Sequence, residues 1–163
     1  MADVAIIADT HLPRGERVIP NACLERLATA DVIVHVGDFI AVAVLDELAA
    51  LGPPVAAVHG NVDDRELRRR LPTEQVLEIG RNRIGLIHDA GPARGRLARL
   101  RRRFPDADAV VFGHSHIPLH EREGAFQIFN PGSPTERRRA PRHTMGIATV
   151  DGGEIRFEHL PLD

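Results

Sequence analysis

Side chains that commonly bind metal ions follow each of five short apolar runs in this sequence. In chain order these side chains are Asp9, His11, Asp38, Asn61, His88, His114 and His116. Imidazole and carboxylate ligands together suit Mn, Fe, Zn or Ni better than Ca or Mg, which prefer oxygen ligands. Glycines stand next to several of them, as in Gly37-Asp38 and Gly60-Asn61, and allow the backbone to come close. The pattern predicts a metal site assembled from distant parts of the chain.

The five apolar runs are predicted to be strands buried on both faces, because they are continuous rather than alternating. They cover residues 4–8, 32–36, 55–58, 84–87 and 109–112. Helical patterns separate several of them, at residues 21–30, 42–51 and 93–104. This alternation indicates an α/β fold. Ligands of open α/β sheets bind outside the carboxyl ends of the strands, so the seven side chains are expected to converge on one rim.

The last third of the chain is predicted to be rich in strands. Four candidate strands are joined by glycine turns, at residues 119–122, 126–129, 144–150 and 154–158. They would add antiparallel strands to the same sheet system or form a second sheet. The sequence has no internal repeat or linker, which favours one domain over residues 1–163.

The spacing of the candidate ligands favours two metal ions. Asp9/His11 and His114/His116 are each two residues apart, and in an extended chain such side chains point to the same side about 7 Å apart. Two facing pairs would hold two cations about 3.5–4 Å apart with one carboxylate between them. Either pair alone arises easily by chance, whereas the ordered set of ligand residues at five strand ends is a specific indication of a metal site.

The ordered motifs resemble the calcineurin-like metallophosphoesterase superfamily. Four stretches in so short a chain resemble its small YfcE-like phosphodiesterase branch: Asp9-Thr10-His11, Gly60-Asn61-Val62-Asp63, Gly113-His114-Ser115-His116 and Asn130-Pro131-Gly132-Ser133. The likeness spans residues 4–134. It implies a two-sheet α/β sandwich flanked by helices, and hydrolysis of a phosphate ester, with a diester preferred, through attack by a metal-bridging hydroxide.

When the metal ligands of the family are assigned to the matching motifs of this chain, the resemblance implies one metal bound by Asp9, His11 and His116. Asp38 would bridge this metal to a second one. Manganese is the first expectation for both ions, with nickel, iron or zinc as alternatives.

The second metal would be bound by Asn61, His88 and His114. Asn61 and His88 would also position the phosphate, which makes them the expected catalytic residues. No side-chain nucleophile is required for such a reaction, and the sequence has no Ser, Cys or Lys activation pattern.

The chain departs from the family pattern at three positions. Val62 stands where the larger family has a His that helps to protonate the leaving group, although the small branch commonly lacks this His. His59 and Asp63 remain open as alternative proton donors. Leu12 and Asp89 replace glycines that are common in the branch, which is expected to reshape the entrance of the pocket.

Composition excludes several function classes. The single cysteine, Cys23, rules out an internal disulfide framework, and the absence of lysine rules out Schiff-base chemistry and a P-loop. A net charge of -2 gives no overall attraction for nucleic acid or membrane, and no apolar stretch reaches the roughly 18 residues of a membrane span. We expect a cytoplasmic protein whose partner is a small phosphate ester, with a homodimer left open.

Two other functions remain as alternatives. A eukaryotic retromer subunit related to this family is thought to act as a scaffold, so a catalytically silent scaffold is one of them. The other is binding of a polyanion by arginines clustered at 65–70, 94–103 and 137–142, but these are expected to be solvated faces. Histidines 35, 120, 143 and 159 and Phe39 are expected to be structural or exposed.

Overall fold

The computed structural model describes residues 1–163 and contains ten strands and four helices. In chain order they are β1 (Ala2–Ile7), α1 (Asn21–Thr29), β2 (Val32–His35), α2 (Val42–Ala49), β3 (Val55–Ala57), α3 (Arg65–Arg70), β4 (Glu74–Ile79), β5 (Asn82–Ile87), α4 (Arg96–Arg103), β6 (Ala109–Val111), β7 (Leu119–Glu123), β8 (Phe126–Asn130), β9 (Thr144–Asp151) and β10 (Glu154–Pro161).

The strands form two five-stranded mixed sheets. The first has the order β10-β9-β1-β2-β3, and the second has the order β4-β5-β6-β8-β7. β1, β2 and β3 are parallel to one another, and so are β5, β6 and β8. The remaining strands pair antiparallel at the sheet margins. Each sheet therefore has a parallel centre whose strands end at a common edge.

Three apolar layers hold the sheets and helices together. The largest lies between the two sheets and includes Ile6, Val34, Leu86, Val111 and Phe129, all essentially inaccessible to solvent. A second layer packs α1, α2 and α3 on the outer face of the first sheet, and a third packs α4 on the outer face of the second. The two-sheet α/β sandwich flanked by helices is thus confirmed.

Strand β1 shows why the apolar runs are continuous. Val4 and Ile6 belong to the layer between the sheets, whereas Ala5 and Ile7 belong to the layer under the helices. Successive side chains of a strand point to opposite faces, and here both faces are buried.

Several details differ from the sequence prediction. α3 and β4 were not predicted, because their exposed charged and alternating residues lack a long apolar run. β8 is parallel to β6 rather than antiparallel, and the C-terminal strands divide between the two sheets. The three predicted helices are present but end earlier than their apolar patterns do. None of the helices combines the length and apolar character needed to cross a membrane.

Candidate metal centre

The seven predicted site residues lie in the loops that follow β1, β2, β3, β5 and β6, and the fold brings these loops together at one edge. Three of them form a fully buried group: Asp9, His11 and His116. Their potential ligand atoms all lie within 4.8 Å of one another. We call this group the first cluster.

A second cluster lies beside the first and comprises Asp38, His88 and His114, whose potential ligand atoms also lie within 4.8 Å of one another. Asp38 and His88 are buried, whereas His114 is exposed and opens the cluster to solvent. The side chain of Asn61 completes it, since its Oδ1 lies 3.1 Å from His88 Nε2 and 3.2 Å from His114 Nδ1. Each predicted residue therefore belongs to one of two adjoining groups.

Asp38 links the two clusters. Its Oδ2 lies 3.4 Å from His11 Nε2 in the first cluster and 3.2 Å from His88 Nε2 in the second. The other carboxylate oxygen, Oδ1, accepts a hydrogen bond from the backbone N–H of Val62 at 3.0 Å. One oxygen is thus fixed by the protein, and the other faces both imidazoles.

The local backbone differs from the extended chain expected for the two spaced pairs. Asp9, His11, Asp38, His114 and His116 all have positive φ, from 48° to 74°. Left-handed conformations cost L-residues about 1–2 kcal/mol each and persist where the surrounding structure imposes them. Because the chain coils beyond the strand ends, Asp9 and His11 both face the first cluster, whereas His116 faces the first cluster and His114 the second.

Backbone hydrogen bonds hold these coiled loops in place. The loops after β1 and β2 run side by side, with Asp9 N–H donating to Gly37 O and His11 N–H donating to Asp38 O, both at 3.0 Å. The loop after β6 is tied to the loop after β5 by the N–H of Gly113, which donates to His88 O at 3.0 Å. The parallel pairing of the strands therefore continues into the site.

Gly37 and Gly60 are needed where the backbone approaches the clusters. A Cβ at Gly60 would overlap the carboxylate of Asp38. A Cβ at Gly37 would lie 2.7 Å from His88 Nδ1, and this residue also has a φ of 97°. Any side chain at either position would displace a predicted ligand.

The hydrogen bonds of the histidines fit the binding of cations. His88 Nδ1 donates to Val36 O at 2.8 Å, and His116 Nδ1 donates to Glu136 O at 2.5 Å. Because Nδ1 carries the proton in each neutral ring, Nε2 presents a lone pair to the cluster. Outer partners of this kind commonly orient metal-binding histidines.

Unpartnered polar atoms in the first cluster also indicate a metal site. Asp9 Oδ2, both ring nitrogens of His11 and Nε2 of His116 are buried without hydrogen bonds. Buried polar atoms are normally paired, and orphaned ones cost about 1–3 kcal/mol. A cation between Asp9 Oδ2, His11 Nε2 and His116 Nε2 would satisfy these three atoms, so the residues present fit a metal ion.

Burial and neighbouring charges shift the protonation of the site. Burial raises the pKa of Asp9 to about 7, against the opposing charge of His88, and burial lowers the pKa of His116 to about 4. Burial alone would raise the pKa of Asp38, but the imidazoles of His11 and His88 outweigh it and lower that pKa. Burial would also lower the pKa of His88, but the carboxylates of Asp38 and Asp9 raise it overall.

Glu136 is a residue of this site that the sequence did not reveal. Its Oε2 is buried without a hydrogen bond, 3.3 Å from His11 Nδ1 and 3.7 Å from His116 Nδ1. Its Oε1 accepts a hydrogen bond from Arg17 at 2.6 Å. Glu136 therefore adds a third carboxylate next to both imidazoles of the first cluster.

The segment at 130–135, which begins with the Asn130-Pro131-Gly132-Ser133 motif, joins loops from both sheets. Asn130 Nδ2 donates to Gly113 O at 3.0 Å, next to His114. The Ser133 hydroxyl donates to Asp9 O at 2.8 Å, and Thr135 Oγ1 donates to Thr10 O at 2.6 Å. These hydrogen bonds hold the segment against the first cluster, so Glu136, the next residue, lies beside His11 and His116.

The two candidate proton donors have other hydrogen-bonding roles. The Asp63 carboxylate accepts three backbone N–H bonds, from Asp38 at 3.0 Å, Ile40 at 2.8 Å and Gly60 at 2.7 Å. An acceptor engaged in this way fixes the loops after β2 and β3 rather than donating a proton. The ring of His59 contacts its neighbour's carbonyl and the hydroxyl of Thr73, both at 3.3 Å.

The other singled-out aromatic residues lie outside the clusters. Phe39 is fully buried and stacks on His35 with ring centroids 3.5 Å apart. His35 Nδ1 accepts from Gly37 N–H at 3.1 Å, so its Nε2–H donates to Thr10 Oγ1 at 3.1 Å. His120 and His159 contact Gln127 and the carbonyl of residue 130. These contacts agree with the structural roles expected from the sequence.

Known proteins resemble this chain over nearly its whole length. The sequence profile of the calcineurin-like phosphoesterase superfamily domain matches residues 2–153. A probable metallophosphoesterase of Methanothermobacter thermautotrophicus is 33% identical over 157 residues, which cover 95% of this chain and 90% of that protein.

Solved structures show the same arrangement of sheets and helices. Wild-type Vps29 of Entamoeba histolytica, crystallised with Zn²⁺, is 25% identical, covers 99% of both chains and superimposes with a TM-score of 0.78. An archaeal phosphodiesterase is 21% identical, with a TM-score of 0.73 over 97% of this chain and 99% of that one, a likeness that shows the fold alone. The profile match and the 33% identity show that this chain belongs to the calcineurin-like phosphoesterase superfamily.

Proposed function

We propose that this protein is a phosphodiesterase that works with two divalent metal ions. The observation that carries the proposal is the position of Asp38 Oδ2, 3.4 Å from His11 Nε2 in one cluster and 3.2 Å from His88 Nε2 in the other. A single carboxylate oxygen facing ligands of two adjoining clusters is the arrangement expected of a bridging ligand. Manganese is our first choice of metal, with nickel, iron or zinc as alternatives.

The first ion would be held by Asp9, His11 and His116, with Asp38 shared. These side chains are buried, and the unpartnered Asp9 Oδ2 and His116 Nε2 supply the donor atoms. The environment excludes bulk water, which strengthens electrostatic interactions at this position. The first ion would therefore be the more firmly fixed of the two.

The second ion would be held by Asn61, His88 and His114, again with Asp38 shared. Asn61 and His114 are exposed, so a phosphate ester would enter the site from their side. If Asn61 binds the ion through Oδ1, its Nδ2 can still donate to a phosphate oxygen, whereas His88, whose Nδ1–H is bonded to Val36 O, would position the phosphate through the ion that it holds. We assign both to positioning the reacting phosphate.

Bound in these positions, the two cations would polarise the phosphate ester and lower the pKa of a coordinated water. The protein would contribute the fixed geometry. Asp63 and the N–H of Val62 hold Asp38, and the left-handed loops keep the imidazoles aimed inward. Such preorganised dipoles and charges need little rearrangement as charge develops on the phosphate.

A catalytically silent scaffold is the second candidate, and it is favoured by the structural likeness to Vps29. A scaffold can lose metal ligands without losing its fold. All seven predicted ligand positions of this chain carry residues able to bind a metal, and their donor atoms converge. The convergence supports the enzyme over the scaffold.

The test is hydrolysis of bis-p-nitrophenyl phosphate by protein stripped with EDTA and then supplied with Mn²⁺ or Ni²⁺. We expect activity that depends on metal, and a loss of at least about 100-fold in Asp38→Ala, because both ions lose a ligand. Asp106→Ala, at an exposed position outside the clusters, is the matched control. A metal-loaded protein inert on panels of monoesters and diesters, or full activity in Asp38→Ala, would overturn the proposal.

A further inference from the structure

A cleft of about 450 Å³ opens beside the second cluster, and Asn61 and His88 of that cluster are among its lining residues. Its volume lies in the range of small-molecule sites. The walls come from the loop after β3, from α3, from the loop after β5 and from α4. A substrate whose phosphate reached the second cluster would have the rest of its bulk in this cleft.

Three arginines line the cleft, Arg68 from α3 and Arg99 and Arg103 from α4, against one acidic lining residue, Asp89. Arg103 has a carboxylate partner, since its Nε donates to Glu74 at 2.6 Å. Arg68 and Arg99 form no ion pair with a carboxylate. The cleft therefore carries positive charge that the protein does not neutralise.

Backbone carbonyls hold the two unneutralised arginines in place. Arg68 Nε donates to Asp63 O at 3.0 Å, and its Nη2 donates to Asn61 O at 2.7 Å. Arg99 donates to the carbonyls of Ala90, Pro92 and Arg94. A carbonyl orients a guanidinium without cancelling its charge, which is what a site for an anion requires.

Arg68 is the better placed of the two to bind a ligand. Two of its five N–H groups are engaged by carbonyls, which leaves three free. Its guanidinium also contacts the carbonyl of Asn61, whose side chain belongs to the second cluster. Arg68 is thus bonded to the backbone of a residue proposed to position the reacting phosphate, and both residues line the cleft.

We propose that this cleft binds a second phosphate group of the substrate, and that Arg68 recognises it. The substrate class is a phosphodiester of which one substituent carries a further phosphate, with the organic part lying on Ile87, Ala90 and Leu100. The inference rests on the proposed phosphodiesterase function, which it deepens by naming the substrate. Arginine suits this role because its planar fork matches phosphate oxygens.

The test compares two esters that differ only in the second phosphate: the p-nitrophenyl ester of thymidine 5′-phosphate, and the same ester carrying a 3′-phosphate. We expect a KM at least about 10-fold lower for the 3′-phosphorylated ester, the value of one charge-assisted hydrogen bond. Arg68→Gln should abolish this preference, and Arg68→Lys, which keeps the charge but loses the planar fork, should keep only part of it. Any effect of Arg68 acting through Asn61 changes both esters alike and cancels in the ratio.

Arg102→Gln is the matched control. It also replaces one arginine with glutamine, but Arg102 lies at an exposed position of α4 that does not line the cleft. Equal KM values for the two esters in the wild type, or a ratio unchanged in Arg68→Gln, would overturn the inference and leave the phosphodiesterase proposal standing.

Calorimetric titration with thymidine 3′,5′-bisphosphate gives a readout that needs no turnover. If neither ester is hydrolysed, this titration still decides about the cleft, and the wider ester panels decide about the phosphodiesterase proposal. Binding weakened about 10-fold in Arg68→Gln supports the anion site, and binding equal to that of the wild type rejects it.

Discussion

Glu136 provides the sharpest test of how the first cluster is built. Its carboxylate Oε2 lies 3.3 Å from Nδ1 of His11, the ring nitrogen that faces away from Asp38. When a cation binds Nε2, the imidazole becomes more positive, and a carboxylate on the opposite side of the ring stabilises it. Replacing Glu136 should therefore weaken metal binding although Glu136 is not proposed as a ligand.

The expected size follows from the distances. Two full charges 3.3 Å apart interact by about 5 kcal/mol at an effective dielectric constant of about 20. The bound imidazole carries only part of a charge, and Arg17 at 2.6 Å neutralises part of the carboxylate. A third to a half of this energy is left, which matches the roughly 10- to 100-fold loss typical of outer partners of metal ligands.

The assay is isothermal titration of EDTA-stripped protein with Mn²⁺. Glu136→Gln, which retains an acceptor but loses the charge, should bind about 10-fold more weakly, and Glu136→Ala nearer 100-fold. Glu121→Gln, an exposed carboxylate on β7, is the control for loss of charge alone. If both Glu136 variants bind Mn²⁺ as tightly as Glu121→Gln, Glu136 does not support the cluster.

Three further predictions concern residues close to the clusters. Gly60→Ala should keep the native circular dichroism spectrum but lose Mn²⁺ affinity in the same titration, because its Cβ would overlap the carboxylate of Asp38. Asp63→Asn replaces an acceptor of three backbone N–H bonds, and should lower the free energy of unfolding by about 1–3 kcal/mol in urea denaturation. His35 has a pKa held well below its usual value by burial, so in metal-free protein its contribution to stability is present above about pH 6.5 and is lost as the pH falls below it. The fall in unfolding free energy between pH 6.5 and 5 should be smaller in His35→Gln, and an equal fall in both proteins would show that the ring is not held neutral.

The sequence was sufficient to identify the side chains that converge, because strand ends are the part of an α/β fold that is easiest to infer. Continuous apolar runs locate the buried strands, and the first polar residues after them must lie at the sheet edge. Asp38, Asn61 and His88 each follow a different run, and the structure brings all three together. The prediction needed only the order of the elements.

The route by which the paired residues converge could not be read from their spacing. Two residues in extended chain would also share a side, but Asp9, His11, His114 and His116 have left-handed backbones. Asp and His adopt positive φ more often than most residues other than glycine, but still in so few cases that their presence does not predict it. Hydrogen bonds between neighbouring loops impose this geometry, and they depend on the parallel pairing of β1 with β2.

Glu136 illustrates a residue that sequence reasoning misses. It follows no apolar run and stands beside three arginines, so it looks like part of a solvated loop. The hydroxyls of Ser133 and Thr135 turn the segment back onto the loop after β1, with Glu136 N–H donating to Ser133 Oγ at 2.9 Å. The available signal was the Asn130-Pro131-Gly132-Ser133 motif just before it, one of the four stretches that resemble the phosphodiesterase branch.

The clusters also predict a reversal in the effect of one substitution on stability. In the metal-free protein the Asp9 carboxyl is fully buried and its Oδ2 has no partner, so ionising it at neutral pH is costly. Asp9→Asn keeps the size and removes the charge, and Asn tolerates the positive φ of this position. We expect the free energy of unfolding of the EDTA-stripped variant to exceed that of the wild type by about 1 kcal/mol or more.

With Mn²⁺ in excess the order should invert, because the wild type gains free energy from binding the ion and the variant loses a charged ligand. Thermal unfolding of both proteins with EDTA and with Mn²⁺ measures the two signs, and Asp106→Asn controls for removal of an exposed carboxylate. Destabilisation of metal-free protein by Asp9→Asn would mean that the carboxylate is already satisfied without a cation. The unpartnered atoms of the first cluster would then give no support for a metal site. If Asp9→Asn instead stabilises the protein in EDTA and destabilises it in Mn²⁺, the unpartnered carboxylate is costly in the free protein because it is kept for binding an ion.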